Sequence, residues 1–156
     1  MKKMFVLFFA MCVGFSVMAS GDQWLTDMGK AMKLAEKTGK PILVDFSGSD
    51  WCGWCMKLDR EVFAKKAFKE FAKKELILVL LDFPNRKFMT AEQKKHNQKW
   101  AKKYKVRGYP TVLLLDAKGK VLLRTGYEAG GPANYIKMLK AKFPTKKVTK
   151  AAKAKK

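Results

Sequence analysis

Ile42-Leu43-Val44-Asp45-Phe46 runs straight into Ser47-Gly48-Ser49-Asp50-Trp51-Cys52-Gly53-Trp54-Cys55, and this stretch decides how the rest of the chain is read. Its first five residues form a short apolar run of strand length. The cysteines then open a helical pattern that continues through Leu58, Val62 and Phe63. A strand that turns directly into a helix puts Cys52 at the helix N-terminus. N–H groups without partners and the helix dipole favour negative charge there, and so lower a thiol pKa. The thiolate is the attacking species, so Cys52 is the expected nucleophile and is expected to be exposed. Cys55, one helical turn later, is near enough to close a disulfide and more buried, which suits a resolving cysteine.

Outward from this stretch, periodicity assigns the remaining elements. Leu25, Met28, Met32 and Ala35 recur at helical spacing until Gly39 and Pro41 end the pattern. A short helical stretch lies around Phe68 and Phe71, and Leu76 to Leu81 reads as a strand apolar enough to be buried on both faces. After the loop at Pro84-Asn85-Arg86, Thr90 with Gln93 forms a capping box for a polar helix that buries Trp100, Ala101 and Tyr104. Gly108-Tyr109-Pro110 breaks the chain. Thr111 to Leu115 and Lys120 to Arg124 then read as strands joined by a turn over Ala117-Lys118-Gly119. Gly131-Pro132 starts a last helix with Tyr135, Ile136, Leu139 and Phe143 inward. The pattern predicts an α/β fold, a central mixed β-sheet flanked by helices.

The ends differ from the middle. Lys2 and Lys3 precede an apolar run from Met4 to Met18, and Val17-Met18-Ala19 suits cleavage, so residues 1–19 read as a secretory signal peptide. The run falls short of the roughly 20 residues that span a bilayer, although an uncleaved anchor is the alternative. Cys12 would leave with the signal; its apolar neighbours fit lipid attachment poorly. Residues 20–143 suit one domain with its own core. Residues 144–156 continue a lysine-rich, alanine-spaced end that reads as disordered, with eight lysines and no acid from Lys140 onward. The formal net charge of +21 becomes +19 without Lys2 and Lys3. The tail is either simply solvated or attracted to an anionic surface. Nucleic acid is not an expected partner, since no groove-reading motif is present.

Export leaves Cys52 and Cys55 as the cysteines of the mature chain. A bridge across two residues closes almost no loop and adds little stability by chain entropy, so the pair points to redox chemistry rather than a structural framework. Static disulfide and metal readings stand beside it. Structural zinc wants four ligands, and His96 lies about forty residues downstream at the fringe of an apolar face. Copper held by Cys52, Cys55 and Met56 is the metal version worth testing, as a metal- or surface-binding module without redox turnover.

Val44-Asp45-Phe46, Trp51 ahead of the first cysteine, and Gly108-Tyr109-Pro110-Thr111 more than fifty residues later together resemble the thioredoxin superfamily. The resemblance runs from about Trp24 to Phe143. Gly48 to Cys55, with Asp82-Phe83-Pro84 downstream, is similar to bacterial exported thioredoxin-like proteins and to the C-terminal thiol domain of membrane reductant conductors. It implies a protein thiol–disulfide oxidoreductase with no cofactor beyond the cysteine pair. It also implies that Pro110 is a cis-proline facing the disulfide and that the Tyr109 backbone pairs with substrate. Asp45 would be the buried carboxylate that takes the proton of Cys55, and Gly126 would sit in a loop that lets substrate approach. Asp45 has an alternative reading as a strand-end carboxylate satisfied by backbone. Trp51 would partly cover the disulfide, and Trp54 would be exposed beside Cys52 to contact substrate. Two departures are visible: six residues separate Asp45 from Cys52, one more than in thioredoxin, and Trp54 stands where thioredoxin has proline.

Gly53 and Trp54 supply no charge between the cysteines. Asp50 and Asp59 would oppose a thiolate, with Lys57 and Arg60 partly offsetting them. The pair is therefore expected nearer the thioredoxin potential of about −270 mV than the oxidants near −120 mV. That means reducing or reshuffling disulfides rather than forming them. An exported reductase needs a membrane protein to hand it electrons. The chain is expected to work as a monomer.

Overall fold

The computed structural model describes residues 24–143. The predicted signal segment and basic tail lie outside the described residues. The elements in order are α1 (Met28–Thr38), β1 (Ile42–Ser47), α2 (Gly53–Leu58), one π-helical turn over Asp59–Phe63, α3 (Lys66–Glu75), β2 (Ile77–Asp82), α4 (Ala91–Lys103), β3 (Thr111–Leu115), β4 (Val121–Thr125) and α5 (Gly131–Lys140). The four strands form one sheet in the order β2-β1-β3-β4. β1 pairs parallel with β2 and antiparallel with β3, which pairs antiparallel with β4, so the sheet is mixed.

Alternation along the central strands sorts side chains onto two faces. Ile42, Val44 and Phe46 join Val79 and Leu113 in the layer that holds α1 and α4, with Met28, Trp100 and Tyr104. Leu43 and Val112 face the opposite layer, with Leu58, Val62, Phe68, Tyr135 and Leu139. Asp45 follows Leu43 by two and so points to the second layer, under α2. This parity brings a carboxylate beneath the cysteine pair.

The strand buried along its whole length is β1, not β2. In β2 only Ile77, Val79 and Leu81 are buried; Leu78, Leu80 and Asp82 are half-buried. β2 ends the sheet, so its second face is only partly covered. Leu25 belongs to no helix: its N–H donates to the Leu78 carbonyl at 2.9 Å and its carbonyl accepts from Leu80 at 2.8 Å, a single rung on the outer edge of β2. Such a rung occupies edge groups that would otherwise be open for pairing. α1 ends as expected at Gly39, whose φ of 70° suits glycine.

The capping box of α4 closes on one side only. Thr90 Oγ1 accepts from the Gln93 N–H at 3.2 Å, but the Gln93 side chain donates to the Thr26 carbonyl at 3.1 Å and to Asn97 Oδ1 at 2.8 Å. It ties α4 to the segment before α1. His96 Nε2 accepts from the Met28 N–H at 3.3 Å, so the chain's one histidine joins α4 to the start of α1.

Candidate active site

Cys52 and Cys55 are joined in a disulfide, with Cα atoms 5.3 Å apart. Cys52 is the N-cap of α2, in extended backbone, and its Sγ accepts the Cys55 N–H at 3.2 Å. A helix-terminal N–H is thus aimed at the sulfur expected to carry charge. Contrary to the expectation of an exposed Cys52, in the disulfide it is buried, as Cys55 is. Cys52 is 7 % exposed and Cys55 4 %.

Asp45 lies beneath α2, 6 % exposed, and its Oδ1 has no hydrogen-bond partner, so backbone does not satisfy that atom. Burial, with the Asp59 and Asp82 carboxylates adding to it, raises its carboxyl from 3.8 to about 7. A cavity of about 360 Å³ joins Asp45 to Cys55, with Ser47, Asp59 and Lys87 also on its wall. That volume has room for water, which could connect the carboxyl to the sulfur.

The Tyr109–Pro110 bond is cis. Gly126 lies against this turn, since a Cβ there would stand 3.0 Å from the Pro110 carbonyl oxygen. Tyr135 fixes the Gly126 loop from below, donating its hydroxyl to the Gly126 carbonyl at 3.0 Å. Trp51 is 43 % exposed. Its Nε1 donates to the Phe83 carbonyl at 2.7 Å, and its ring meets Tyr109 edge-on at 5.7 Å. Trp51 therefore bridges the cysteine turn, the end of β2 and the Pro110 turn. Trp54 is 57 % exposed and packs on Tyr127 at 5.2 Å. Lys57 Nζ lies 4.9 Å from the Trp54 ring and 4.8 Å from the Tyr127 ring.

Several contributors are not evident from the sequence. Gly48 is one: a Cβ there would stand 2.5 Å from Trp51 Cε2, so only glycine leaves room for the indole. Another is Asp50, whose carboxylate accepts the backbone N–H groups of Asn85, Arg86 and Lys87 at 2.7–3.0 Å. These bonds, that from Asn85 foremost, hold its carboxyl below the usual value. Asp50 therefore stays ionised near Cys52 and also holds the loop after β2. Asp82 likewise accepts from the Ser49 N–H at 2.8 Å and from its hydroxyl. The only advance signal was a run of small and acidic residues in a tight turn. In the disulfide state both sulfurs are committed to each other, and among the described residues no three His, Cys, Asp or Glu side chains group as metal ligands.

A family model for the thioredoxin-like domain matches residues 28–142. The disulfide bond reductase DsbH of Chlamydia pneumoniae is 38% identical over 125 residues, which are 80% of this chain and 75% of that protein. The solved structure of a DsbH oxidoreductase superposes with a TM-score of 0.74 at 38% identity, covering 78% of this chain and 83% of that one. A thioredoxin from Thermus thermophilus, at 21% identity and a TM-score of 0.56, shares the fold; the match covers 76% of this chain and 85% of that chain.

Proposed function

The chain belongs to the thioredoxin-like domain family, and from that membership we propose that it is a thiol–disulfide oxidoreductase that reduces or reshuffles protein disulfides. The observation that carries this is the Cys52–Cys55 disulfide at the start of α2, with a backbone N–H directed at Cys52 Sγ. In the reduced enzyme the Cys52 thiolate attacks one sulfur of a substrate disulfide. A mixed disulfide forms and the other substrate sulfur leaves as a thiolate. Cys55 gives its proton to Asp45 and attacks Cys52 Sγ, which expels the second substrate thiolate. Two electrons pass to the substrate, and the enzyme is left with the disulfide described above. The cysteine pair is the electron carrier, so the exchange balances without a further cofactor.

An acceptor for the Cys55 proton must be nearby and ready to take it. A carboxyl raised to about 7, sharing a cavity with Cys55, suits that task near neutral pH. Substrate would lie along the backbone of Tyr109 and Pro110, with Gly126 leaving room and Trp51 and Trp54 giving apolar contact. Gly53 and Trp54 bring no charge that would destabilise the disulfide, which supports the reducing direction.

The domain at residues 20–143 works outside the cytoplasm after loss of residues 1–19, in the periplasm or otherwise exported. A membrane protein supplies its electrons, it acts as a monomer, and the tail at residues 144–156 is either simply solvated or attracted to an anionic surface. Insulin reduction with dithiothreitol tests the central reading. The intact pair is expected to accelerate precipitation and Cys52→Ser to abolish the acceleration. Cys55→Ser is expected to accumulate mixed disulfide with substrate. Equal rates for the intact protein and Cys52→Ser would refute the reading.

A further inference from the structure

We propose that the cleft beside Pro110 selects disulfides flanked by acidic residues, so that the protein's preferred substrates are acidic segments; this rests on the disulfide-reductase reading above. The cleft has a volume of about 620 Å³ and is walled by Lys105, Arg107, Tyr109, Pro110, Thr111 and Arg124, with no acidic side chain along it. A basic wall alone would mean little in a chain with 34 lysines and arginines. The type of cation is the informative feature. Thirty of those residues are lysines and four are arginines (Arg60, Arg86, Arg107 and Arg124), yet two of the four meet in this cleft. Arginine presents a planar fork of donors that grips a carboxylate with two parallel hydrogen bonds; lysine offers a point charge.

These cations are available and held in place. Among the described residues the ion pairs are Arg60–Glu61 and Lys66–Glu70, so Lys105, Arg107 and Arg124 keep their charges for a ligand. Arg124 Nη2 donates to the Tyr104 carbonyl, which anchors the guanidinium and leaves its other N–H groups for an acceptor. Lys105 sits at φ 51°, the one non-glycine residue of positive φ among the described residues. This backbone reverses the chain after α4 and carries Lys105 and Arg107 to the cleft wall.

The cleft shares Tyr109 with the surroundings of the reacting centre. Its Tyr109 touches Trp51, the neighbour of Cys52, at 5.7 Å between rings. An extended substrate advances about 3.3 Å per residue. Carboxylates within two or three residues of the attacked cysteine would therefore come alongside Arg107 and Lys105.

The test uses the full chain with dithiothreitol as reductant and three cystine peptides of one sequence. The positions two and three residues from the cystine carry glutamate, glutamine or lysine. After subtraction of the uncatalysed rate, kcat/KM is expected to fall in that order. Glutamate should exceed glutamine by roughly fivefold at low salt, from two partly exposed pairs acting together, and the gap should close as salt rises. In Lys105→Gln/Arg107→Gln the glutamate-to-glutamine ratio is expected near one. In Lys153→Gln/Lys155→Gln, which removes the same charge from the tail, the ratio should stay near its original value. A ratio near one in the unaltered chain, or one that survives in the cleft variant, overturns the inference and leaves the reductase reading standing. Failure to reduce even the glutamine peptide overturns both.

Discussion

Replacing Asp45 by asparagine should make the oxidised protein more stable at pH 8 while leaving it nearly unchanged at pH 4. Burial, followed by repulsion from Asp59 and Asp82, lifts the carboxyl from 3.8 to about 7. Between those values the folded protein keeps a proton that the unfolded chain has released. Stability therefore falls as pH rises from about 4 to about 7 and is level above. Each tenfold change in proton affinity is worth about 1.4 kcal/mol, so the loss accumulates to about 4 kcal/mol at pH 8. Asparagine resembles the neutral acid in shape and never ionises, so the variant escapes this loss. With a urea slope of about 2 kcal/mol/M, the midpoint at pH 8 should rise by about 1.5–2 M. The assay is urea unfolding of both proteins with the disulfide intact, across pH 4 to 8. A midpoint difference that does not change with pH would refute the reasoning, as would a less stable variant at pH 8. The same substitution should slow release of substrate from the mixed disulfide, because Cys55 loses its proton acceptor.

Gly48→Ala should destabilise the protein by about 1–3 kcal/mol in urea unfolding, because the added methyl meets an indole that the Phe83 carbonyl holds in place. Its insulin reduction should be slower, since Trp51 must leave its position against Tyr109. Asp50→Ala removes the acceptor shared by three loop N–H groups, and the amides of Asn85, Arg86 and Lys87 should exchange hydrogen at least about tenfold faster. Deleting the residues after Phe143 should leave insulin reduction intact and weaken retention on anionic vesicles, each lysine giving up to about 1 kcal/mol at such a surface. Unchanged retention would mean a tail that is merely solvated.

Only the short turn Gly48–Cys52 separates β1 from α2, so local pattern alone placed Cys52 at a helix start and gave the order of most elements. Period-two alternation turns Asp45 to the face that α2 covers, but from the sequence its place behind the cysteines followed only from the resemblance to the thioredoxin superfamily. Which strand would be buried on both sides was beyond such reasoning. Leu76 to Leu81 is the stronger apolar run, yet β1 took the centre because α2, α3 and α5 close one face and α1 and α4 the other. Burial follows from a strand's neighbours, not only from its own residues. The same limit applies at the site. Trp51 reaches the carbonyl of Phe83, and Asp50 reaches the amides of Asn85 to Lys87, contacts more than thirty residues apart in the chain. The raised carboxyl of Asp45 needed burial beneath several packed elements, with Asp59 and Asp82 brought near it. Backbone propensity and side-chain period act over a few residues and can be read in order along the chain. Desolvation, charge proximity and the fit of an indole against a glycine depend on through-space distances, which exist only once the sheet and its two helical layers have closed.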